Sequence, residues 1–318
     1  SSAASDVYKR QVVGSGKSGV AAAELLRKKG ITFVLFDGNK DLDVTALIEK
    51  NPVFAGAEIL LGELAPEDMA RIDLVVLSPG VPTDLPMVNE LRNRQIPIWG
   101  EIELAYHFAK GRIIAITGTN GKTTTTSLVG EIMANYFDDV KVVGNIGIPY
   151  TSVAADTTED TVTVAEISSF QLETTHEFAP EVTAILNITP DHLNRHHTME
   201  CYIETKESIT KNQKDGDTCV LNYDDTVLRE FGETLKINVV YFSSREKLKK
   251  GYYLEDGKIV YNDGSKVTEI VDISELKLLG RHNHENVMAA VAISMNMDVP
   301  LEKIQEVIRK FEAVEHRI

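Results

Sequence analysis

The sequence predicts an α/β protein of two doubly wound units, a small one followed by a larger one with a mostly parallel sheet. Short apolar runs typical of buried strands alternate with helical segments along the chain. This alternation restarts at Arg112, which indicates a second unit. Short strands and tight turns at 238–271 predict a small antiparallel extension of the larger sheet. Because 318 residues are enough for two domains, we place these at 1–100 and 101–313.

The individual elements follow from the apolar patterns and the turn residues between them. In the small unit we predict strands at 11–13, 32–37 and 73–78, helices at 19–29 and 88–94, and an extended segment at 97–99. A connecting helix is predicted at 101–109. In the larger unit we predict strands at 112–117, 140–143, 161–167, 182–188 and 218–222, and helices at 124–135, 283–296 and 301–311.

The composition limits the classes of function. A net charge of −15 with no basic tract argues against a nucleic-acid partner. The two cysteines, Cys201 and Cys219, do not form a disulfide framework and fit a reducing compartment. No apolar run approaches the roughly 20 residues of a membrane span. We therefore expect a cytoplasmic protein without membrane insertion, most simply a monomer.

The most informative motif is Gly-Thr-Asn-Gly-Lys-Thr-Thr at 118–124, between a predicted strand and a predicted helix. Such a turn directs backbone N–H groups and the positive end of the helix at one point. Lys122 can reach the outer phosphates of a nucleoside triphosphate, and the Thr123 hydroxyl can bind Mg²⁺. The motif has Ile116 where the general pattern has its first glycine. We predict a loop that binds a nucleoside triphosphate in a P-loop NTPase-like unit, although an ordinary strand–helix turn has a similar pattern.

A second glycine loop, Gly-Ser-Gly-Lys-Ser-Gly at 14–19, lies in the small unit. It matches G-x-G-x-x-G, and Asp37 ends the next strand about 20 residues on, as in a Rossmann-like dinucleotide site. The motif alone is compatible with a nicotinamide cofactor. Whether the ligand is a nicotinamide cofactor or another nucleotide, the motif predicts a diphosphate at the start of a helix, with Asp37 near a ribose or base. Ser78 and Gly80 follow a third strand at the same sheet edge.

Further polar residues follow strands of the larger unit. Glu166 ends the strand predicted at 161–167, and His192 follows the next strand. Because parallel strands end at one sheet edge, these side chains are expected near Lys122 and Thr123, where Glu166 is the better Mg²⁺ ligand. Lys206 lies in a helix after this loop, where a lysine is usually solvated. Asn283 and Asn286 share one helical face, which suits purine binding, although Asn283 could equally cap the helix.

Together these motifs resemble the Mur ligases, ATP-dependent amide-forming enzymes of peptidoglycan precursor synthesis. The collinear segments are those at 118–124, Gly-Asn-Ile-Gly at 144–147, Glu-Ile-Ser-Ser-Phe-Gln-Leu-Glu at 166–173, Asn-Ile-Thr-Pro-Asp-His-Leu at 187–193, Lys206, and Gly-Arg-His-Asn-His-Glu-Asn at 280–286. The form Ser-Ser-Phe-Gln-Leu-Glu is similar to that of the D-glutamate-adding branch of the family.

The resemblance implies a role for each site residue. The residues implied to bind ATP are Gly118, Thr119, Asn120, Gly121, Lys122, Thr123, Thr124, Asn283, Asn286 and Arg317. Those implied to bind the UDP-linked substrate are Lys17, Ser18, Asp37, Gly38, Asn39, Ser78, Gly80, Asn145, Ser168 and His192. The implied catalytic residues are Lys122, Glu166, His192 and Lys206. Magnesium would be held by Thr123, Glu166, His192 and Lys206, the last as a carbamate whose oxygens suit Mg²⁺.

The implied reaction joins D-glutamate to UDP-N-acetylmuramoyl-L-alanine. The substrate carboxylate attacks the γ-phosphate of ATP to give an acyl phosphate, and the amine of D-glutamate then displaces phosphate. The chain ends at 314–318, where family members pass into a third domain that supplies much of the amino-acid site. We therefore expect this chain to bind the UDP-linked substrate, to bind ATP weakly, and not to form the amide.

Several alternatives stay open on the sequence alone. These are a NAD-dependent oxidoreductase built on the first loop, a non-catalytic nucleotide-binding module, and a related ligase for another amino acid or for folate. Residues 1–10 are polar and lack an initiating Met. We interpret them as a non-native leader, with an irregular native terminus as the alternative.

Overall fold

The computed structural model describes residues 9–312, which form two compact units. Unit 1 contains the described residues up to Lys110 together with Ile148–Thr157 and Glu173–Phe178. Unit 2 contains Gly111–Gly147, Thr158–Leu172 and the described chain from Ala179 onward. The first boundary thus lies at Lys110, later than the predicted residue 100, and the middle of the chain contributes two segments to unit 1.

Unit 1 is an α/β sandwich around a five-stranded parallel sheet in the order β3-β2-β1-β4-β5. Its strands are β1 (Lys9–Val13), β2 (Phe33–Asp37), β3 (Glu58–Leu61), β4 (Ile72–Leu77) and β5 (Ile98–Gly100). Its helices are α1 (Lys17–Lys28), α2 (Val44–Lys50), α3 (Pro66–Met69), α4 (Pro86–Asn93) and α5 (Glu101–Tyr106). Since β1 is the central strand, the loop after it lies at the middle of the sheet edge.

Helix α5 is fixed to unit 1 by a buried carboxylate. Glu103 has no exposed surface and accepts hydrogen bonds from the backbone N–H groups of His176, Glu177 and Phe178. Three charge-assisted hydrogen bonds compensate the desolvation of the carboxylate. These bonds explain why unit 1 extends past residue 100. The helix predicted to connect the two units belongs to unit 1, where it binds the later segment 173–178.

Three elements of unit 1 were not predicted: β3, α2 and α3. All four residues of β3 are half-buried, so this edge strand lacks a clear inside–outside alternation. Helix α2 has seven residues and α3 has four, which is too short for a helical period to be visible. Asp43 caps α2 by accepting from the N–H of Ala46, a signal that was present in the sequence.

Gln11 leads to a first prediction about stability. Its side chain lies in the central strand with no exposed surface, and neither amide atom has a hydrogen-bond partner among residues 9–312. An unpaired buried polar group costs about 1–3 kcal/mol. Replacing Gln11 by Met, which has a similar shape, is therefore expected to raise the free energy of unfolding by about that amount. Denaturant unfolding measures this change, and Gln11→Glu should have the opposite effect; a less stable Met variant would contradict the argument.

Unit 2 is built on a nine-stranded sheet in the order β14-β13-β12-β11-β10-β9-β6-β8-β7. Its strands are β6 (Arg112–Thr117), β7 (Val140–Gly144), β8 (Val162–Glu166), β9 (Val182–Ile185), β10 (Thr218–Asn222), β11 (Asn238–Ser243), β12 (Gly251–Glu255), β13 (Lys258–Asn262) and β14 (Val267–Asp272). Its helices are α6 (Lys122–Ala134), α7 (Ser169–Leu172), α8 (Leu193–His196), α9 (Met199–Glu207), α10 (Thr226–Thr234), α11 (Arg281–Met295) and α12 (Leu301–Lys310).

The sheet of unit 2 confirms the predicted fold class. Strands β6 to β12 pair in parallel, while β13 runs antiparallel to both β12 and β14. Helices α6 and α11 pack against each other in an apolar core that includes Ile116, Leu128 and Val291. Because β6 lies between β8 and β9, the loops after these three strands meet at one edge.

Within the described part of the chain, no helix is both long enough and apolar enough to cross a membrane.

Candidate active site

The loop between β6 and α6 has the glycine conformation that its sequence predicts. Gly121 is the residue before α6 and has φ +83°, a left-handed conformation that favours glycine. A Cβ at this position would lie 2.3 Å from Oδ1 of Asn286 on α11. The loop thus needs glycine for its backbone angle and for the close approach of α11.

These two requirements can be separated experimentally. Gly216 also has a positive φ, +92°, but a Cβ added there would have no atom of another described residue, apart from its chain neighbours, within 4 Å. We expect Gly216→Ala to cost about 1–2 kcal/mol of stability from backbone strain alone. Gly121→Ala should cost about 1–3 kcal/mol more because Asn286 must also move. Equal losses of unfolding free energy in the two variants would show that α11 does not restrict the loop.

Lys122 folds back over its own loop. Its Nζ donates to the carbonyl oxygens of Gly118 and Thr119, at 2.8 and 3.0 Å. Burial lowers the pKa of Lys122, while the carboxylates of Glu166 and Asp191 partly oppose this shift. The ammonium group is therefore held at the loop by backbone oxygens, close to two carboxylates.

Glu166 ends β8 beside this loop. It is 1% exposed and accepts from the Thr123 hydroxyl at 3.1 Å and from Nδ2 of Asn145 at 3.0 Å. The chain at Gly144 approaches closely, since a Cβ there would lie 2.1 Å from the carbonyl oxygen of Glu166. Strand order and this glycine therefore bring three predicted site residues, Thr123, Asn145 and Glu166, into direct contact.

Lys206 is buried rather than solvated. Only 2% of the residue is exposed, and its Nζ donates to the Thr117 hydroxyl at 3.3 Å and to the carbonyl oxygen of Gly118 at 2.9 Å. Burial, together with the nearby charge of Lys122, lowers the pKa of Lys206 to about 7. A large part of this amine is therefore neutral near pH 7, in contrast to an ordinary helical lysine.

The other predicted residues of unit 2 are less tightly joined to this cluster. His192 has φ +51° and a half-exposed side chain that lies 3.3 Å from the carboxylate of Asp191. Ser168 caps the short helix α7, since its hydroxyl accepts from the N–H of Gln171. Thr124 lies in the first turn of α6.

Asn283 and Asn286 lie on one face of α11, as predicted. Nδ2 of Asn286 is 3.4 Å from Oδ1 of Asn283, and Nδ2 of Asn283 donates to the carbonyl oxygen of Leu279. The residue before α11 is Gly280, so Asn283 does not occupy the N-cap. Arg317 lies outside the described residues, as do residues 1–8 of the predicted leader and the whole of 314–318.

Three residues of this site were not singled out from the sequence. Asn187 bonds the backbone of the loop, Tyr202 bonds the Thr119 hydroxyl, and the charge of Asp191 acts on the half-buried Lys122 and on the buried Lys206. Asn187 and Asp191 stand in the quoted segment 187–193, but only the folded chain brings them to the loop.

In unit 1 the predicted glycine loop follows β1. A Cβ at Gly19 would lie 1.9 Å from the carbonyl oxygen of Gly14, so α1 packs directly on the strand end. Asp37 accepts from the N–H and the hydroxyl of Ser15, at 3.1 and 2.6 Å. The hydroxyl of Ser78 donates to the carbonyl oxygen of Val13. The carboxylate of Asp37 is therefore joined to the loop itself.

The start of α1 opens into a cavity of about 460 Å³ within unit 1. Ser15, Gly16 and Lys17 line one part, with Lys50 and Ile148 among the other lining residues. Gly16, the residue before α1, provides no side-chain cap, and the N-terminus of a helix favours an anion. Ser18 is half-buried, whereas Gly38, Asn39 and Gly80 are exposed.

Models of known protein families match segments of both units. Residues 116–294 match the model described as the Mur ligase middle domain, which is more than half of the chain. The chain belongs to the Mur ligase family. Residues 8–100 match the Mur ligase MurD-like N-terminal domain, which favours a Mur ligase domain over a nicotinamide domain for the first glycine loop. Mur ligases are ATP-dependent ligases, so the predicted enzyme class is confirmed.

Curated relatives of this Mur ligase include two named UDP-N-acetylmuramoylalanine–D-glutamate ligase. Those of Lachnoclostridium phytofermentans and Lachnospira eligens are each 54% identical over 307 residues, which is 96% of this chain and 68% of each relative. Among solved structures, the UDP-N-acetylmuramate:L-alanyl-gamma-D-glutamyl-meso-diaminopimelate ligase of Neisseria meningitides has a TM-score of 0.62 at 16% identity, covering 98% of this chain and 100% of that one. The UDP-N-acetylmuramate–alanine ligase of Thermotoga maritima has a TM-score of 0.56 at 22% identity, covering 97% and 70%. These likenesses confirm the fold.

Proposed function

We propose that this protein takes part in the ATP-dependent addition of D-glutamate to UDP-N-acetylmuramoyl-L-alanine. The curated relatives at 54% identity carry the name of that reaction. The observation that best supports the proposal is the contact of Glu166 with Thr123 and Asn145 beside a glycine loop. A buried carboxylate in contact with the loop threonine is an arrangement for holding the Mg²⁺ of a bound nucleoside triphosphate.

In this proposal ATP binds at the loop 118–124 and the start of α6. The N–H groups in the first turn of α6 lack partners within the helix and would bind phosphate oxygens. Lys122 would exchange its two carbonyl contacts for the β- and γ-phosphates, which offer full negative charges. Asn283 and Asn286 would face the adenine.

The donor set near Glu166 fits Mg²⁺. A carboxylate and the hydroxyl of Thr123 are oxygen ligands, and a carbamate on Lys206 would add further oxygens. Carbamylation requires a neutral amine, which the lowered pKa of Lys206 favours. His192 offers a nitrogen, pairs with Asp191, and fits Mg²⁺ less well. Bound Mg²⁺ would neutralise charge on the phosphate oxygens.

The protein's own contribution is to hold the substrate carboxylate against the γ-phosphate of ATP and to reduce the repulsion between these two anions. Lys122 and the first turn of α6 would stabilise charge on the transferred phosphate. In unit 1, the start of α1 would bind the diphosphate, with Lys17, Ser18 and Ser78 near it and Asp37, Gly38, Asn39 and Gly80 near the uridine. In unit 2, Asn145, Ser168 and His192 are assigned to the sugar and its carboxylate. We further propose a monomer in the cytoplasm.

The test combines binding with turnover. UDP-N-acetylmuramoyl-L-alanine should raise the thermal midpoint of unfolding, whereas NADH should not. Because this chain is expected not to form the amide by itself, phosphate release from ATP should be compared with D-glutamate, L-lysine and L-alanine as acceptors in a chain that spans the full length of the curated relatives. Stabilisation by NADH, or a preference for L-lysine or L-alanine over D-glutamate, would refute the proposed substrate.

A further inference from the structure

The segment after β9 holds the phosphate loop through one asparagine side chain. Oδ1 of Asn187 accepts from the backbone N–H groups of Thr119 and Asn120, at 3.1 and 2.8 Å. Nδ2 of the same residue donates to the carbonyl oxygen of Asn120 at 2.9 Å. The backbone oxygen of Asn187 also lies 2.9 Å from the N–H of Thr119. One side chain therefore uses both its acceptor and its donor on two consecutive loop residues.

A second set of contacts holds the same loop without Asn187. The Thr119 hydroxyl donates to the carbonyl oxygen of Thr189 at 3.1 Å and accepts from the N–H of Thr189 at 3.0 Å. The buried hydroxyl of Tyr202 lies 3.0 Å from the same oxygen. These contacts, and the bond from the Thr119 N–H to the backbone oxygen of Asn187, remain when the Asn187 side chain is removed, so the loop keeps its place after β6 while its backbone at Asn120 gains freedom.

The contacts of Asn187 decide which N–H groups are available to phosphate. Those of Thr119 and Asn120 are used by Oδ1, so the groups that remain are at Gly121 and in the first turn of α6. Preorganised donors bind an anion more tightly than donors that must first be ordered. We propose that Asn187 is a positioning residue that fixes the backbone of the phosphate loop for the triphosphate. This inference rests on the proposed binding of ATP at the loop.

Two variants separate the parts of this role. Asn187→Ala removes the acceptor and the donor together. Asn187→Asp keeps an oxygen for the two N–H groups, but it places a second oxygen against the carbonyl of Asn120 and adds a charge near the phosphates. A matched control is Asn135→Ala at the other end of α6, where Nδ2 donates to the carbonyl oxygen of Lys303.

The first measurement is the affinity for ATP and AMP by calorimetry. We expect Asn187→Ala to weaken ATP binding about tenfold, the effect of losing one or two ordinary hydrogen bonds. AMP, which lacks the outer phosphates, should bind almost unchanged, and Asn135→Ala should alter neither affinity. Unchanged ATP affinity in Asn187→Ala, or equal weakening of ATP and AMP, would overturn the positioning role while leaving the proposed function intact.

The second measurement is amide hydrogen exchange without nucleotide. The N–H group of Asn120 should exchange faster in Asn187→Ala, whereas that of Thr119 keeps its bond to the backbone oxygen of Asn187. Both groups should stay protected in Asn187→Asp and Asn135→Ala. Fast exchange in the wild type, or in Asn187→Asp, would overturn the inference. If the wild type binds no ATP at all, the proposed function fails, and the exchange rates still decide whether Asn187 fixes the loop.

Discussion

Replacing Glu166 by glutamine is expected to weaken Mg²⁺-dependent ATP binding by about 10²-fold, the effect of losing a charged partner. The reason is electrostatic: the carboxylate is 1% exposed and is the buried anion nearest the Thr123 hydroxyl. Glutamine has almost the same shape. Its carbonyl oxygen can still accept from Asn145, and its amide can face the Thr123 hydroxyl, so the local packing should persist.

The measurement is the dissociation constant of ATP with Mg²⁺ and with a chelator. In the wild type Mg²⁺ should tighten the binding of ATP. In Glu166→Gln the dissociation constants measured with Mg²⁺ and with the chelator should become similar. Glu306→Gln is the matched control, because Glu306 also accepts from an asparagine amide, that of Asn135, at the far end of α6. A Glu166→Gln protein that keeps the full response to Mg²⁺ would exclude this carboxylate as a metal ligand.

Replacing Lys206 by methionine is expected to remove a pH dependence of stability. Burial and Lys122 lower the pKa of Lys206 to about 7 in the folded protein. The unfolded chain therefore binds more protons than the folded chain between about pH 7 and the ordinary lysine pKa. Across that window this lysine makes the free energy of unfolding rise with pH, and below pH 7 its full burial penalty is present. The lowered pKa corresponds to a loss of up to about 5 kcal/mol in the free energy of unfolding, which is fully present below pH 7.

Methionine fills the same buried space without a charge. We therefore expect Lys206→Met to be more stable than the wild type near pH 7, with the difference shrinking as the pH approaches 10. The carbonyl oxygen of Gly118 keeps its bond from Lys122, so it is not left unpaired. The measurement is denaturant unfolding at several pH values in buffer free of bicarbonate. Lys266→Met, at an exposed lysine, controls for the loss of a surface charge; a constant difference between wild type and Lys206→Met would refute the linkage.

Much of the fold was predictable because the strands of a buried parallel sheet read as continuous apolar runs. The strands at 112–117, 140–143 and 218–222 were predicted within a residue of β6, β7 and β10. Edge strand β3 and the short helices α2 and α3 were missed, since four to seven residues with mixed burial carry no clear period. An antiparallel extension was predicted at 238–271 from its Asp-Gly turns, but it contains only β12 to β14, because β11 pairs in parallel with β10 and β12.

The sequence by itself determined the two glycine loops, the α/β class and the collinear motifs, because each depends on neighbours in the chain. A strand, a glycine turn and the start of a helix suffice to specify an anion site at residues 118–124. Only the tertiary structure decided that Lys206 is buried and that Asn187 bonds the loop, because these contacts join residues more than 60 positions apart. The order of β8, β6 and β9 in the sheet brings the segments after these strands to the phosphate loop, and no local pattern in the sequence encodes that order.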